Sequence, residues 1–370
     1  MKTYKIGISG SYGGLNLGDE AILESILGQL RKSVNAEITV FSRDPEHTRS
    51  CHRVEKAVPV RRLSRDEVRP EVEALDLFIL GGGGILFDQE VKIYARELAL
   101  AHEASVPVMV YAVGAGPLKD PANQQLICRT LETAAAVTVR EREAKKVLEE
   151  AGLRRELVIT ADPALLLEPE LLPGDALIRE GLDKKPRLIG VSVREPGPAA
   201  PDIDPAAYHA LLANAADYMA DRYDADIVFV PMENQPHDLQ NSHAVISQML
   251  RPERAQVLKN RYTPGQMLSL MKHFCFAVGM RLHFLIFAAL QEVPFVALPY
   301  ASKVFGFLDM LGVVSPPIHL VNAGRLTAHI DHSWDEGAAQ VEQIRRVLPN
   351  LKERARENHR LAVGLLENGR

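Results

Sequence analysis

Along the 370-residue chain, short apolar runs alternate with longer stretches whose apolar residues recur every three to four positions. Near-continuous apolar runs fit parallel strands covered on both faces, and the periodic stretches fit amphipathic helices. The pattern predicts strands at 4–9, 37–41, 57–60, 75–80, 106–113, 136–139 and 157–160 in the first half. In the second half it predicts strands at 188–193, 226–230, 275–278 and 294–298. Such strand–helix alternation belongs to the α/β class, with doubly wound parallel sheets.

The alternation lapses once. Residues 165–186 carry Pro169, Pro173, Gly174, Gly181 and Pro186 with little periodicity, as a linker would. The pattern restarts at Arg187. We therefore expect two Rossmann-like domains, residues 1–170 and 187–333, facing a cleft. A charged helical segment, 334–370, interrupted at Pro349, completes the chain. Residues 199–205 read as an exposed Pro-rich loop, and no internal repeat is visible.

Composition removes several classes of function. Hydrophobic residues at 46 % and charged residues at 25 % are the balance of a globular chain without long disordered stretches. Lys and Arg number 43 against 48 Asp and Glu, so no bulk basic charge recommends a nucleic-acid binder. Cys51, Cys128 and Cys275 lie far apart, without metal-ligand spacing, and read as the usage of a reducing compartment. No run approaches the roughly 20 apolar residues of a membrane span. The N-terminus enters a strand directly, with no secretory signal pattern. The expectation is a cytoplasmic protein, with peripheral contact at the inner face of the cell membrane left open.

In open parallel sheets, ligands gather where strands end and helices begin. Gly10-Ser11-Tyr12-Gly13-Gly14-Leu15-Asn16-Leu17-Gly18-Asp19 follows the first strand. Its glycine spacing is not the dinucleotide fingerprint. It reads either as a backbone cradle for an anion or as a turn in which Asn16 or Asp19 caps a helix. Gly81-Gly82-Gly83-Gly84 and Gly114-Ala115-Gly116-Pro117 follow two further strands, with Pro117 a candidate first helical residue. Four consecutive glycines are conformationally costly, which favours a place where the chain must hug something.

Basic residues also stand at strand ends. Arg140 and Arg194 suit a bidentate grip on carboxylate or phosphate, and equally an ion pair with a neighbour. Asp162, in Ala161-Asp162-Pro163, reads as a loop tie. Gly279-Met280-Arg281-Leu282-His283 places two bases in the first turn of a helix, where the dipole disfavours cations, so a compensating anion is expected. Lys303 follows the next strand, in Pro299-Tyr300-Ala301-Ser302-Lys303. Arg140, Arg281, His283 and Lys303 together suit a small, highly charged anion, with the imidazole of His283 suited to general acid–base work among fixed cations. Residues 231–238, with Glu233 and Asp238, read either as an acceptor contact or as a capped helix start.

These motifs, in this order, resemble the polysaccharide pyruvyl transferase family, in the branch that modifies bacterial cell-wall polymers. The resemblance implies a GT-B-like fold and phosphoenolpyruvate (PEP) as co-substrate, with no metal or cofactor. It implies pyruvate placed as a cyclic ketal across two hydroxyls of a lipid-linked or nucleotide-linked sugar. Arg281, Leu282 and His283 match the family's Arg-Leu-His donor site, Arg140 its first-domain arginine, and Lys303 its lysine after Pro-Tyr. Glu141 and Ala301-Ser302 depart from the family's usual Asp and Asp-Pro. His283 and Asp19 are the catalytic candidates, Asp19 as base for an acceptor hydroxyl. Asn16, Gly82, Gly83, Glu233 and Asp238 are candidates for the acceptor side. The rival readings are a GT-B nucleotide-sugar glycosyltransferase and a non-catalytic anion-binding protein.

Overall fold

A computed structural model describes residues 2–194, 204–233, 236–317 and 320–368. Of the Pro-rich stretch, residues 199–203 lie outside the described residues, while Asp204 caps and Pro205 opens the helix Pro205–Tyr223. Asn234 and Gln235 also lie outside them.

The chain forms two compact units, residues 1–167 with 350–370, and residues 168–349. The first carries β1 (Tyr4–Ser9), β2 (Ala36–Ser42), β3 (Lys56–Pro59), β4 (Leu77–Leu80), β5 (Gly83–Leu86), β6 (Val108–Ala115), β7 (Ala136–Val139) and β8 (Val158–Ile159). Its parallel sheet runs β3-β2-β1-β4-β6-β7-β8, with β5 also paired to β6. Ile6 stands opposite Ile38 on one side and Leu77 on the other. Ile6, Ile8, Ile38, Val40, Phe78, Ile79 and Leu80 are fully buried, as a sheet covered on both faces requires.

The second unit repeats the plan with β9 (Leu188–Ser192), β10 (Asp226–Phe229), β11 (Ala255–Val257), β12 (Phe276–Gly279) and β13 (Phe295–Ala297). Its order is β11-β10-β9-β12-β13, all parallel. Both sheets reverse strand order beside their first strand, between β1 and β4 and between β9 and β12. Each unit is thus a doubly wound, Rossmann-like domain, and the pair makes the chain GT-B-like in class.

Two strands escape the sequence pattern. β11 is only three residues long, and β5 begins with two glycines, which weaken strand propensity. Pro117 does not open a helix; Asp120 caps the next one and Pro121 takes its first position. The charged C-terminal segment is also divided. The helix Gly337–Asn368 contains Pro349, and its residues from Asn350 onward pack with the first unit. Of its basic residues, Arg345 pairs with Glu292, Arg354 donates to the Thr160 carbonyl and Arg356 pairs with Glu353. Among the described residues no helix is long and apolar enough to cross a membrane.

Candidate active site

In the first unit, the loop after β1 leads to the helix Leu17–Ser33. Asn16 is its cap, accepting the Gly18 N–H at 3.0 Å. Buried Glu20 accepts the Gly13 N–H at 2.8 Å and pairs with His52 Nε2 at 2.7 Å, which fixes the glycine loop over the helix start. Tyr12 is wholly buried beneath this loop, its hydroxyl against Gly10 and Gly81. Gly83 has φ +102°, a backbone that L side chains rarely adopt, and Asp19 Oδ1 lies 3.3 Å from where its Cβ would stand. Gly82 packs against Ile22 and the Ala112 carbonyl. Asp19, Gly82 and Gly83 therefore share the switch point between β1 and β4.

Arg140, at the end of β7, is buried. Its Nε donates to Glu141 at 2.7 Å and its Nη1 to Asp162 at 2.9 Å. Burial opposes the guanidinium charge, and the two carboxylates more than offset it, so the pKa is raised. A Cβ on Gly114 would meet Arg140 Nη2 at 2.9 Å and Glu141 Oε1 at 3.0 Å, so glycine there makes room for the triad. Asp162 also accepts the Ala164 N–H, tying its corner down.

In the second unit, Arg281 lies two residues beyond β12 and is the N-cap residue of the helix Leu282–Leu290. Leu282 is buried, and His283 lies in the first turn, half-buried. The charge at this helix start is compensated inside the protein. Arg281 Nε donates to Asp238 at 3.1 Å, and Nη2 donates to Asp238 and to Glu233, the latter at 2.7 Å. Asp238 also accepts the Met232 and Glu233 N–H groups. Burial raises the pKa of Asp238, and Arg281 pulls against that rise. Glu233 and Asp238 are thus gathered at Arg281 as its partners. Lys303, half-buried, is the second residue of the helix Ser302–Leu311. Among the described residues no group of three or more His, Cys, Asp or Glu is arranged to hold a metal ion.

The family model for polysaccharide pyruvyl transferase matches residues 16–302. The chain belongs to the polysaccharide pyruvyl transferase family. That makes this family member a sugar-acting transferase in kind, and its matched span contains Arg140, Arg281, Leu282 and His283, with Lys303 one residue beyond. No curated protein matches it in sequence. Among solved structures it is similar to a glycosyltransferase from Rickettsia africae, with TM-score 0.66, 11 % identity and 100 % of each chain covered. It is also similar to the Neisseria meningitidis UDP-GlcNAc 2-epimerase bound to UDP-GlcNAc, with TM-score 0.63, 9 % identity, and 98 % of this chain and 100 % of that chain covered. A third likeness is the Methanocaldococcus jannaschii enzyme of the same name in complex with UDP-GlcNAc and UDP, with TM-score 0.58, 11 % identity, and 94 % and 100 % covered. At these identities the likeness is one of fold.

Two residues of this pyruvyl transferase family member gain weight only in three dimensions. Tyr300 is buried and accepts from Arg194 Nη1 at 2.6 Å. Arg194 was visible in the sequence as a strand-end arginine, but nothing there tied it to a phenol 106 positions on.

Proposed function

We propose that this chain transfers the pyruvyl group of PEP to two hydroxyls of a sugar in a cell-wall or exopolysaccharide precursor. The product is a cyclic ketal, and phosphate is released. Family membership over residues 16–302 carries this reading, because the matched span includes the Arg281-Leu282-His283 run at the second unit's switch point.

In this proposal Arg281, Leu282, His283 and Lys303 hold PEP. Its methylene carbon takes a proton, giving positive character at the carbon that bears the phosphate ester. One sugar hydroxyl attacks there, the carbon–oxygen bond to phosphate breaks, and the second hydroxyl closes the ring. Of the two hydroxyl protons lost, the balance places one on the new methyl group and one on phosphate. His283 is the candidate proton carrier, and the cations stabilise the departing phosphate. Arg281 is already bonded to Asp238 and Glu233, so it acts as a fixed, preorganised donor whose orientation those carboxylates set. Asp19 is the candidate base in the first unit. The acceptor is a lipid-linked or nucleotide-linked sugar, with peripheral membrane contact in the lipid-linked case.

A second reading is a nucleotide-sugar enzyme, favoured by fold relatives that are a glycosyltransferase and UDP-GlcNAc 2-epimerases. The full chain incubated with PEP and a panel of lipid-linked or nucleotide-linked disaccharides should release phosphate and add the pyruvyl mass to an acceptor. His283→Ala should lose at least about a hundredfold in transfer while still binding PEP. Alanine at Arg140 and at Asp19, in the same assay, tests the first unit's candidates. Release of UDP from a UDP-sugar, with no phosphate from PEP, would instead establish the second reading. PEP binding without turnover on any acceptor would leave only an anion-binding protein.

A further inference from the structure

Three strand ends of the second unit surround one phenol. Tyr300, beyond β13, is buried, with the Arg194 guanidinium 4.9 Å above its ring centroid. Arg194, beyond β9, donates to the phenol oxygen at 2.6 Å. Lys303, from the helix after β13, and Arg281, two residues beyond β12, add their positive charge. Tyr208, on the helix Pro205–Tyr223, gives its own hydroxyl to the Met280 sulfur and lies within electrostatic reach of Tyr300. Arg281 is balanced by Asp238 and Glu233. Among the described residues neither Arg194 nor Lys303 forms an ion pair with an acidic side chain. Two cations at one strand-end rim are thus faced by a phenol where carboxylates would be expected.

We propose that Arg194, Tyr300 and Lys303 form a subsite for the phosphoryl or carboxylate group of an anionic ligand. The inference rests on the reading that the second unit binds an anionic co-substrate. Burial pushes the Tyr300 phenol up, and the charges of Lys303, Arg194 and Arg281 with the Arg194 hydrogen bond more than offset it, to about 8. As a neutral phenol, Tyr300 leaves both cations to the ligand. As a phenolate it neutralises one of them, so ligand binding holds the proton on the oxygen and affinity falls as pH rises.

Calorimetric titration of the full chain with PEP and with inorganic phosphate tests this. Wild-type affinity should fall by about tenfold per pH unit above about 8, one proton being taken up per ligand bound. Tyr300→Phe keeps the ring and should bind at neutral pH with a flat profile. In the wild type either anion should suppress the ultraviolet tyrosinate band. Should Tyr300→Phe fail to fold, Lys303→Met serves: it should weaken binding and move the tyrosinate titration to higher pH. A flat wild-type profile, an unchanged decline in Tyr300→Phe, an unmoved titration in Lys303→Met, or no binding of either anion overturns the subsite. Failure of pyruvyl transfer with the Tyr300-dependent profile intact overturns the function proposed above and supports the subsite.

Discussion

Buried charge is handled differently at different residues of this chain. Arg281 and Asp238 are a buried pair, and removing one partner of such a pair costs about 3–5 kcal/mol. Arg281→Ala is therefore expected to lower the urea midpoint of the second unit, and Arg281→Ala with Asp238→Ala to recover part of the loss. Glu97 is the opposite case. It is wholly buried, receives the Ser9 hydroxyl, and burial raises its pKa from 4.5 to about 7 against the pull of Ser9 and Arg96. Between those values the folded chain holds a proton that the unfolded chain has released, so stability falls as pH rises through that window. Above about 7 the loss is complete. Glu97→Gln should thus stabilise the protein at pH 8 by up to about 3 kcal/mol and be nearly neutral at pH 4, measured by denaturant melts at both pH values. The sequence marked Arg281 as a cation at a helix start, but its carboxylate partners lie 43 and 48 positions upstream. No local pattern connects residues so far apart. Glu97 was illegible for a related reason, since a glutamate in a helix of mixed character is ordinarily solvated.

The C-terminal helix illustrates what a single element decides. Asn358 is buried and accepts from the hydroxyls of Thr138 on β7 and Thr160 beyond β8, the latter at 2.9 Å. Leu351, Ala355, Ala362 and Leu366 are buried along the same stretch. Asn358→Ala removes one acceptor shared by two buried hydroxyls, which keep the Val110 and Val139 carbonyls, and should cost about 1 kcal/mol. Faster amide exchange in β7 and β8 than in β1 is the local signature to look for. A chain ending at Pro349 removes no strand, yet its first unit should melt earlier than that of the full chain. Periodicity showed this segment as a helix, but the interruption expected at Pro349 does not occur, since one helix runs through it from Gly337 to Asn368. Which unit its second half joins is a matter of side-chain partners, and the pattern held no information on that.

At the scale of the molecule, two sheets with separate cores allow two unfolding transitions. PEP at about a hundred times its dissociation constant should stabilise the unit that binds it by about 2.7 kcal/mol. By the proposal here, scanning calorimetry should show the second unit's transition move up, and Arg281→Ala should abolish that movement. A shift confined to the first unit would count against the assignment of the donor. Hydrophobic patterning by itself determined two parallel, doubly wound sheets, because strands covered on both faces must be almost continuously apolar. It also placed the glycine loops and the strand-end bases, since in such sheets function collects where strands stop. Only the tertiary structure decided which charges meet. Arg140 and Arg281 came to carry two carboxylates each, and Arg194 and Lys303 came to face Tyr300. Charge pairing in a folded interior is set by distances between side chains remote in sequence, and those distances exist only once the sheets have formed.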